Sequence, residues 1–281
     1  MNIILGIFFF VSGTIIGSFI NVVTLRYHTG RSITRGRSAC FSCGKALKWY
    51  ELIPLISYGA LRAHCRSCGS TLSLQYPAVE FGTGILFFGM YLKFFSPFGL
   101  SFSSVLYFVL YASVISFLMA ILVYDLRHKI IPNAFVYPPI LFSLVLLLLH
   151  YFEFNDLNAL GMFIFAGIGM ALPIALLWFF SRGRAMGLGD AKLALALGFL
   201  LGPIPALSAF LLSFWFGALV GIFLLFLPAM RRGIQKLFTP HSLSGTRIRF
   251  TMKSEIPFAP FLIFGFLLVF FFDINVLEFF I

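Results

Sequence analysis

Charge is the scarcest property of this sequence. Only 10% of its 281 residues are charged, and nine side chains are acidic. A soluble domain carries about 25% charged residues, so an ordinary water-soluble globule is excluded. Four cysteines in a chain this long are too few for a disulfide-stapled miniprotein. The hydrophobic content leaves no room for a disordered chain, and 25 glycines are too few for a collagen repeat. No Lys or Arg precedes the first apolar run, Ile3–Val23. That run also exceeds the apolar segment of about 7–15 residues in a secretory signal, so it reads as a first span that stays. A glycine-rich nucleotide fingerprint is missing as well.

What is present is apolar. The chain is 60% hydrophobic and 19% aromatic, with mean hydropathy +1.02. A membrane span needs about 20 mostly apolar residues, so the expected fold is an all-α polytopic membrane protein with about eight transmembrane helices. The runs lie near 3–24, 79–95, 101–124, 134–152, 160–180, 190–201, 206–228 and 257–272. The sixth and seventh are separated only by Gly202-Pro203-Ile204-Pro205. Merged, they would be too long for a bilayer core of about 30 Å at 1.5 Å per residue.

The net charge of +11 orients the stack. With the N-terminus outside, every Lys and Arg except Lys93 falls on one side, which the positive-inside rule makes cytoplasmic. The excess of positive charge is thereby matched to membrane lipids rather than to nucleic acid. An odd number of spans would break the pattern.

The one sizeable loop, Arg26 to Ala78, holds all four cysteines as Cys40-Phe41-Ser42-Cys43 and Cys65-Arg66-Ser67-Cys68. Two Cys-x₂-Cys pairs, each followed by glycine (Gly44, Gly69), are the pattern of a closed tetrahedral zinc site. Two disulfides and four free thiols are the competing readings. A cytoplasmic loop disfavours the disulfides, and a small loop with little core gains most from a metal. His64 beside Cys65 offers a spare ligand that a four-cysteine set does not require.

The nine acids can be taken one by one. Glu153, Asp156, Asp273 and Glu278 fall outside; Glu51 lies in the cysteine loop and Glu255 in the last basic loop. Glu80, Asp125 and Asp190 remain, at the cytoplasmic ends of spans. Acids at membrane depth are costly and point to function. Asp125 ends the third span and Asp190 opens the sixth, within Gly187-Leu188-Gly189-Asp190. Two distant carboxylates can therefore meet at one depth. The plainer readings are an ion pair of Asp125 with Arg127 or Lys129, and a helix cap for Asp190.

In order along the chain stand Gly17-Ser18-Phe19-Ile20-Asn21, Arg37-Ser38-Ala39-Cys40, Trp49-Tyr50-Glu51-Leu52-Ile53-Pro54 and Tyr76-Pro77-Ala78-Val79-Glu80. Asp125 with Ile131-Pro132-Asn133, Gly187-Leu188-Gly189-Asp190-Ala191-Lys192 and Pro257-Phe258-Ala259-Pro260-Phe261 follow. With these motifs the chain resembles the type IV prepilin leader peptidase family, membrane aspartic peptidases of the Gly-x-Gly-Asp kind. It departs from the family at Tyr27-His28 and at Phe41.

The resemblance implies a bacterial inner-membrane enzyme with Asp125 and Asp190 as catalytic pair and prepilins or pseudopilins as substrates. It also implies N-methylation of the new N-terminus from S-adenosylmethionine. Glu80 and the Gly17–Asn21 stretch are candidates for binding that cofactor, with a headgroup-level pairing of Glu80 to a loop Arg as the alternative. The implied division is a first span (1–25), a cytoplasmic zinc-binding cysteine loop (26–78) and a peptidase domain (79–281). The rivals are a Gly-x-Gly-Asp membrane peptidase without methyl transfer, a proton-relay transporter, and a zinc-loop membrane adaptor that is no enzyme. Opposite helix ends suggest a division of labour: Asp190 at a positive N-terminus as the ionised base, Asp125 at a negative C-terminus as the holder of the shared proton.

Overall fold

The computed structural model describes residues 3–30, 32–33, 35–95, 99, 101–226 and 257–279. The basic residues Arg31, Arg231, Arg232, Lys236, Arg247, Arg249 and Lys253, and Glu255, lie outside them. Each of the eight expected apolar runs is a helix: α1 (Ile3–Arg26), α3 (Gln75–Phe94), α4 (Phe102–His128), α5 (Asn133–Phe154), α6 (Leu157–Ser181), α7 (Leu188–Leu201), α8 (Pro203–Phe226) and α9 (Ala259–Phe272). A short α2 (Ile56–Ala60) and 3-10 turns at Trp49–Glu51 and Val276–Phe279 complete the described elements. Gly202 and Pro203 do separate α7 from α8.

The span count of eight is not confirmed. Among the described residues, five helices are long and apolar enough to cross a membrane: Ile3–Arg26, Phe102–His128, Asn133–Phe154, Leu157–Ser181 and Pro203–Phe223. α7 and α9 have 14 residues each. At 1.5 Å per residue each rises about 21 Å, short of a bilayer core of about 30 Å. α3 has the length, but Gln75, Glu80 and Lys93 interrupt its apolar face.

The described residues form two compact units, one up to Ser104 and one from Val105 on. In the first, α1 packs on α3 through glycines. A side chain on Gly13 would come 2.7 Å from Thr83 O, and one on Gly17 would come 2.8 Å from Glu80 Cα. Close backbone approach through small residues is the usual way helices associate where water supplies no drive. Asn21 of α1 donates to Tyr76 O at 3.3 Å and accepts from Gln75 Nε2 at 3.2 Å. The Gly17–Asn21 motif therefore docks the first turn of α3.

In the second unit α7 lies among α5, α6, α8 and α9. Leu193, Ala194, Ala196 and Leu197 are fully buried, which explains why this short helix is apolar all round. Gly198 meets Gly167 of α6 so closely that a Cβ on it would lie 2.5 Å from Gly167 Cα. Ring pairs set α4 against its neighbours: Tyr111 on Phe270, Phe117 on Phe142 and Tyr124 edge-on to Phe135.

Candidate active site and metal centre

The Gly-x-Gly-Asp segment becomes the start of α7. Asp190 is the third residue of the helix and reaches back to its first free donor. Gly187 N–H donates to Asp190 Oδ2 at 3.2 Å, as an acid in a helix's first turn should. Both glycines are there for space. A Cβ on Gly187 would sit 3.3 Å from Asp190 Oδ2, and one on Gly189 would sit 2.8 Å from the Ile131 Cβ.

Asp125 lies one turn from the end of α4, and its carboxylate accepts the backbone N–H of Ala259, the first residue of α9. The two aspartates line one cavity of about 340 Å³ together with Lys129, Ile131, Arg184, Gly187 and Phe258. They are close enough for the charge of Asp190 to act on Asp125. Both are buried, 4% and 8% exposed. Among the described residues, Asp125 Oδ2 and Asp190 Oδ1 are buried side-chain oxygens with no hydrogen-bond partner. Buried carboxylate oxygens are normally satisfied, so such a pair calls for an explanation.

The positions at the helix ends are as expected from the sequence: Asp125 near the negative end of α4, Asp190 in the first turn of α7 with the Gly187 N–H on its carboxylate. The start of α9 adds a backbone donor beside Asp125. The motif Pro257–Phe261 marked this segment, but not that the Ala259 N–H, a backbone group from a distant helix, would lie beside Asp125. A clamp beside the site also went unread: Lys192 Nζ donates to Asn133 Oδ1 at 2.8 Å and to Tyr137 OH at 3.2 Å, joining α7 to α5.

The four cysteines come together in the first unit. Their sulfurs lie within 4.8 Å of one another, and Cys40 Sγ is 3.9 Å from Cys68 Sγ. All four are free, so the disulfide reading fails. A tetrahedron with Zn–S bonds of about 2.3 Å places its sulfurs about 3.8 Å apart, and the cluster fits. Two copies of one local turn build it. Cys40 N–H donates to Lys45 O and Gly44 N–H to Cys40 O, while Cys65 N–H donates to Ser70 O and Gly69 N–H to Cys65 O. Gly44 and Gly69 both have φ +70°, a conformation that glycine adopts without strain.

The bare thiols divide unevenly. Burial pushes Cys40 up, but the backbone N–H groups of Cys43 and Ser42 and bonds from Ser70 and Cys65 outweigh it, leaving it at about 6. A bond from Ser70 draws Cys68 down. Cys43 rises to about 11: the backbone at Lys45 lowers it, but desolvation and the neighbouring Cys40 and Cys68 sulfurs prevail. Sulfurs this crowded cannot all ionise unless a cation sits among them.

Glu80 joins neither group. It is buried in α3, where its Oε2 accepts Leu55 N–H at 2.8 Å and its carboxylate takes a bond from Ser18. In place of the alternative pairing with a loop Arg stand these two donors; Arg26 donates to the Ser32 and Arg37 carbonyls. Glu80 forms part of a cavity of about 420 Å³ that also takes in Ser18, Arg26, Arg35, Arg37, Tyr58 and Tyr76.

Comparison with known proteins fits this arrangement. Residues 11–94 match the family described as Bacterial Peptidase A24 N-terminal domain, and residues 112–222 match the Type IV leader peptidase family. A Myxococcus xanthus protein named prepilin leader peptidase/N-methyltransferase is 36% identical over 258 residues, covering 89% of this chain and 71% of the relative. Proteins of the same name are 29% identical in Bacillus subtilis (97% and 96% covered) and 32% identical in Vibrio cholerae (74% and 81%). No solved structure matches the chain.

Proposed function

The chain belongs to the type IV leader peptidase family, and from that premise we propose that Asp125 and Asp190 are its catalytic pair. It is a multi-pass membrane aspartic peptidase that removes prepilin leader peptides and N-methylates the new N-terminus. The observation that carries the assignment is that the two aspartates line one cavity and that each has a buried carboxylate oxygen without a hydrogen-bond partner. Two carboxylates that share a proton supply a base and an acid together. The ionised one takes a proton from water as its oxygen adds to the scissile carbonyl. The protonated one donates to the carbonyl oxygen. On collapse of the tetrahedral intermediate the C–N bond breaks and the amine nitrogen takes up a proton. The N–H groups of Gly187 and Ala259 hold the other face of the carboxylates, leaving the orphaned oxygens for the reaction. The pair titrates as a unit.

The positive-inside pattern supports a cytoplasmic position for this end of α4, α7 and α9, with the N-terminus outside and the cysteine loop in the cytosol. Pseudopilins, with the same leader design, are the second substrate class. The soft, closed donor set of Cys40, Cys43, Cys65 and Cys68 suits a structural Zn²⁺. For methyl transfer, the cavity at Glu80 has the size of a small-ligand site. Its chemistry fits S-adenosylmethionine, with a buried carboxylate for a sulfonium cation and Arg26, Arg35 and Arg37 for a carboxylate. When bound, that cofactor supplies an electrophilic methyl group. Glu80 would orient the cation, and Ser18 and the Leu55 N–H would hold Glu80.

The test is cleavage of a purified model prepilin by the full chain in lipid, with and without S-adenosylmethionine, read by mass spectrometry. The unaltered chain removes the leader in both cases and adds one methyl only with the cofactor. Asp125→Asn and Asp190→Asn each lose cleavage by about 10²–10⁴-fold, the usual worth of an acid–base group, while still inserting. Processing by either variant near the normal rate would sink the pair and move the chemistry to other residues; only an unaltered chain that cleaves nothing would leave the zinc-loop adaptor as the better reading.

A further inference from the structure

The cysteine loop exposes apolar side chains that neither the metal centre nor the Glu80 cavity requires. Trp49 is 76% exposed, Leu52 42% and Ile56 69%. They follow one another at intervals of three and four residues, through the 3-10 turn Trp49–Glu51 into the start of α2. In a water-facing loop such a cluster is a liability.

Its depth explains it. Leu55 N–H is bonded to Glu80, and Glu80 lies five residues into α3 from Gln75. At 1.5 Å per residue that is about 7.5 Å along the helix. Leu55, within the stretch 49–56, is thus held beside the second turn of α3; an interfacial segment lies about 5–10 Å into the boundary between headgroups and acyl chains. Cations flank it. Lys48 Nζ lies 5.8 Å from the Tyr50 ring centroid; the Arg66 guanidinium is 5.7 Å from the same ring, and its Nη1 donates to Tyr50 OH at 3.0 Å. From Arg26 to Ala78 the only acid is Glu51, against Arg26, Arg31, Arg35, Arg37, Lys45, Lys48, Arg62 and Arg66.

We propose that the stretch from Lys48 to Ile56 docks on the anionic lipid surface of the membrane the chain itself spans. Trp49, Leu52 and Ile56 enter the acyl boundary, and Lys48 and Arg66 meet headgroup phosphates. Trp at this level and Lys or Arg just above it is the arrangement that membrane interfaces favour. Both ends of the loop continue into α1 and α3, so lipid is the neighbour that is always within reach.

The full chain carrying Trp178→Phe and Trp215→Phe keeps Trp49 as its only tryptophan. Reconstituted in vesicles of phosphatidylcholine with phosphatidylglycerol, Trp49 is expected to emit at short wavelength. Lipids brominated near the top of the acyl chain should roughly halve that emission, as expected for a ring in this boundary. Quenching should rise with the phosphatidylglycerol fraction. Emission typical of water without quenching would overturn the proposal. So would quenching that appears only when a partner protein is added, or that is equal in phosphatidylcholine alone. Since the two replacements can disturb α6 and α8, tryptic cleavage of the unaltered chain in bicelles provides a second measurement. Cuts after Lys48 and Arg66 should slow several-fold in anionic bicelles relative to neutral ones, and equal rates overturn the docking.

Discussion

The four-sulfur cluster and the aspartate pair are assembled in opposite ways. Cys40 and Cys68 are only 28 positions apart, and each Cys-x₂-Cys turn closes on its own local hydrogen bonds. The aspartate cavity takes Asp125 from the end of α4, Asp190 from the start of α7 and the Ala259 N–H from the start of α9. A locally coded centre holds its own geometry once its ligand is present. A centre drawn from three helix ends depends on how those helices pack. The first should therefore fail as a whole when its ligand is lost, and the second should fail at any one of its packing joints.

The largest separation of the two regions is expected from the Cys65→Ser/Cys68→Ser chain. Metal analysis should show zinc falling from about one per chain to near zero, with the loop's fold lost along with it, because metal binding and folding are one event in such modules. N-methylation should be abolished while leader cleavage is largely kept. Unchanged zinc content refutes the site. Cleavage lost as completely as methylation breaks the comparison, since it would show that the aspartates depend on the loop.

A narrower cut is Glu80→Gln, which keeps shape and removes the negative charge. Methyl transfer should fall about 10–100-fold, the usual cost of removing a hydrogen-bonded group that holds a bound cation. Binding of S-adenosylmethionine, measured by calorimetry, should fall to the level of the uncharged S-adenosylhomocysteine. Cleavage should stay at the normal rate. Equal loss of both activities would mean that Glu80 supports the fold of the unit rather than a ligand.

The smallest effect tests a joint. Gly189→Ala places a methyl against Ile131, and overpacking of this kind costs about 1–3 kcal/mol. Cleavage should slow about tenfold or more, with zinc content and cofactor binding unchanged. Adding Ile131→Ala should return part of the rate by making room. A Gly189→Ala chain that cleaves normally would show that the approach of α7 to the α4–α5 turn does not position Asp190.

These variants also mark how far the sequence could be read. The cysteine centre was legible because its information is local: two ligand pairs, each followed by a glycine that must take positive φ. Elimination left Glu80, Asp125 and Asp190 as the acids at membrane depth, and the resemblance to the Gly-x-Gly-Asp family singled out the pair. The helical runs were legible from apolar length, and Gly202-Pro203 from backbone chemistry. The count of spans was not, since length and composition alone do not mark α3, α7 and α9 as crossings.

The sequence by itself determined the class of the protein, the position of each helix and the identity of the chemical groups. Residue types and short-range spacing suffice for those. Only the tertiary structure decided what each group faces. Asp125 has the first N–H of α9 beside it, a donor from a helix more than 130 positions along the chain. Glu80 is held by Ser18 and the Leu55 N–H in place of an arginine. Gly189 is a glycine because Ile131 lies against it. Each of these is a contact between segments far apart in the chain, often to a backbone group that has no side-chain signature. Such pairings are fixed by how the helices pack, and no local pattern of residues encodes them.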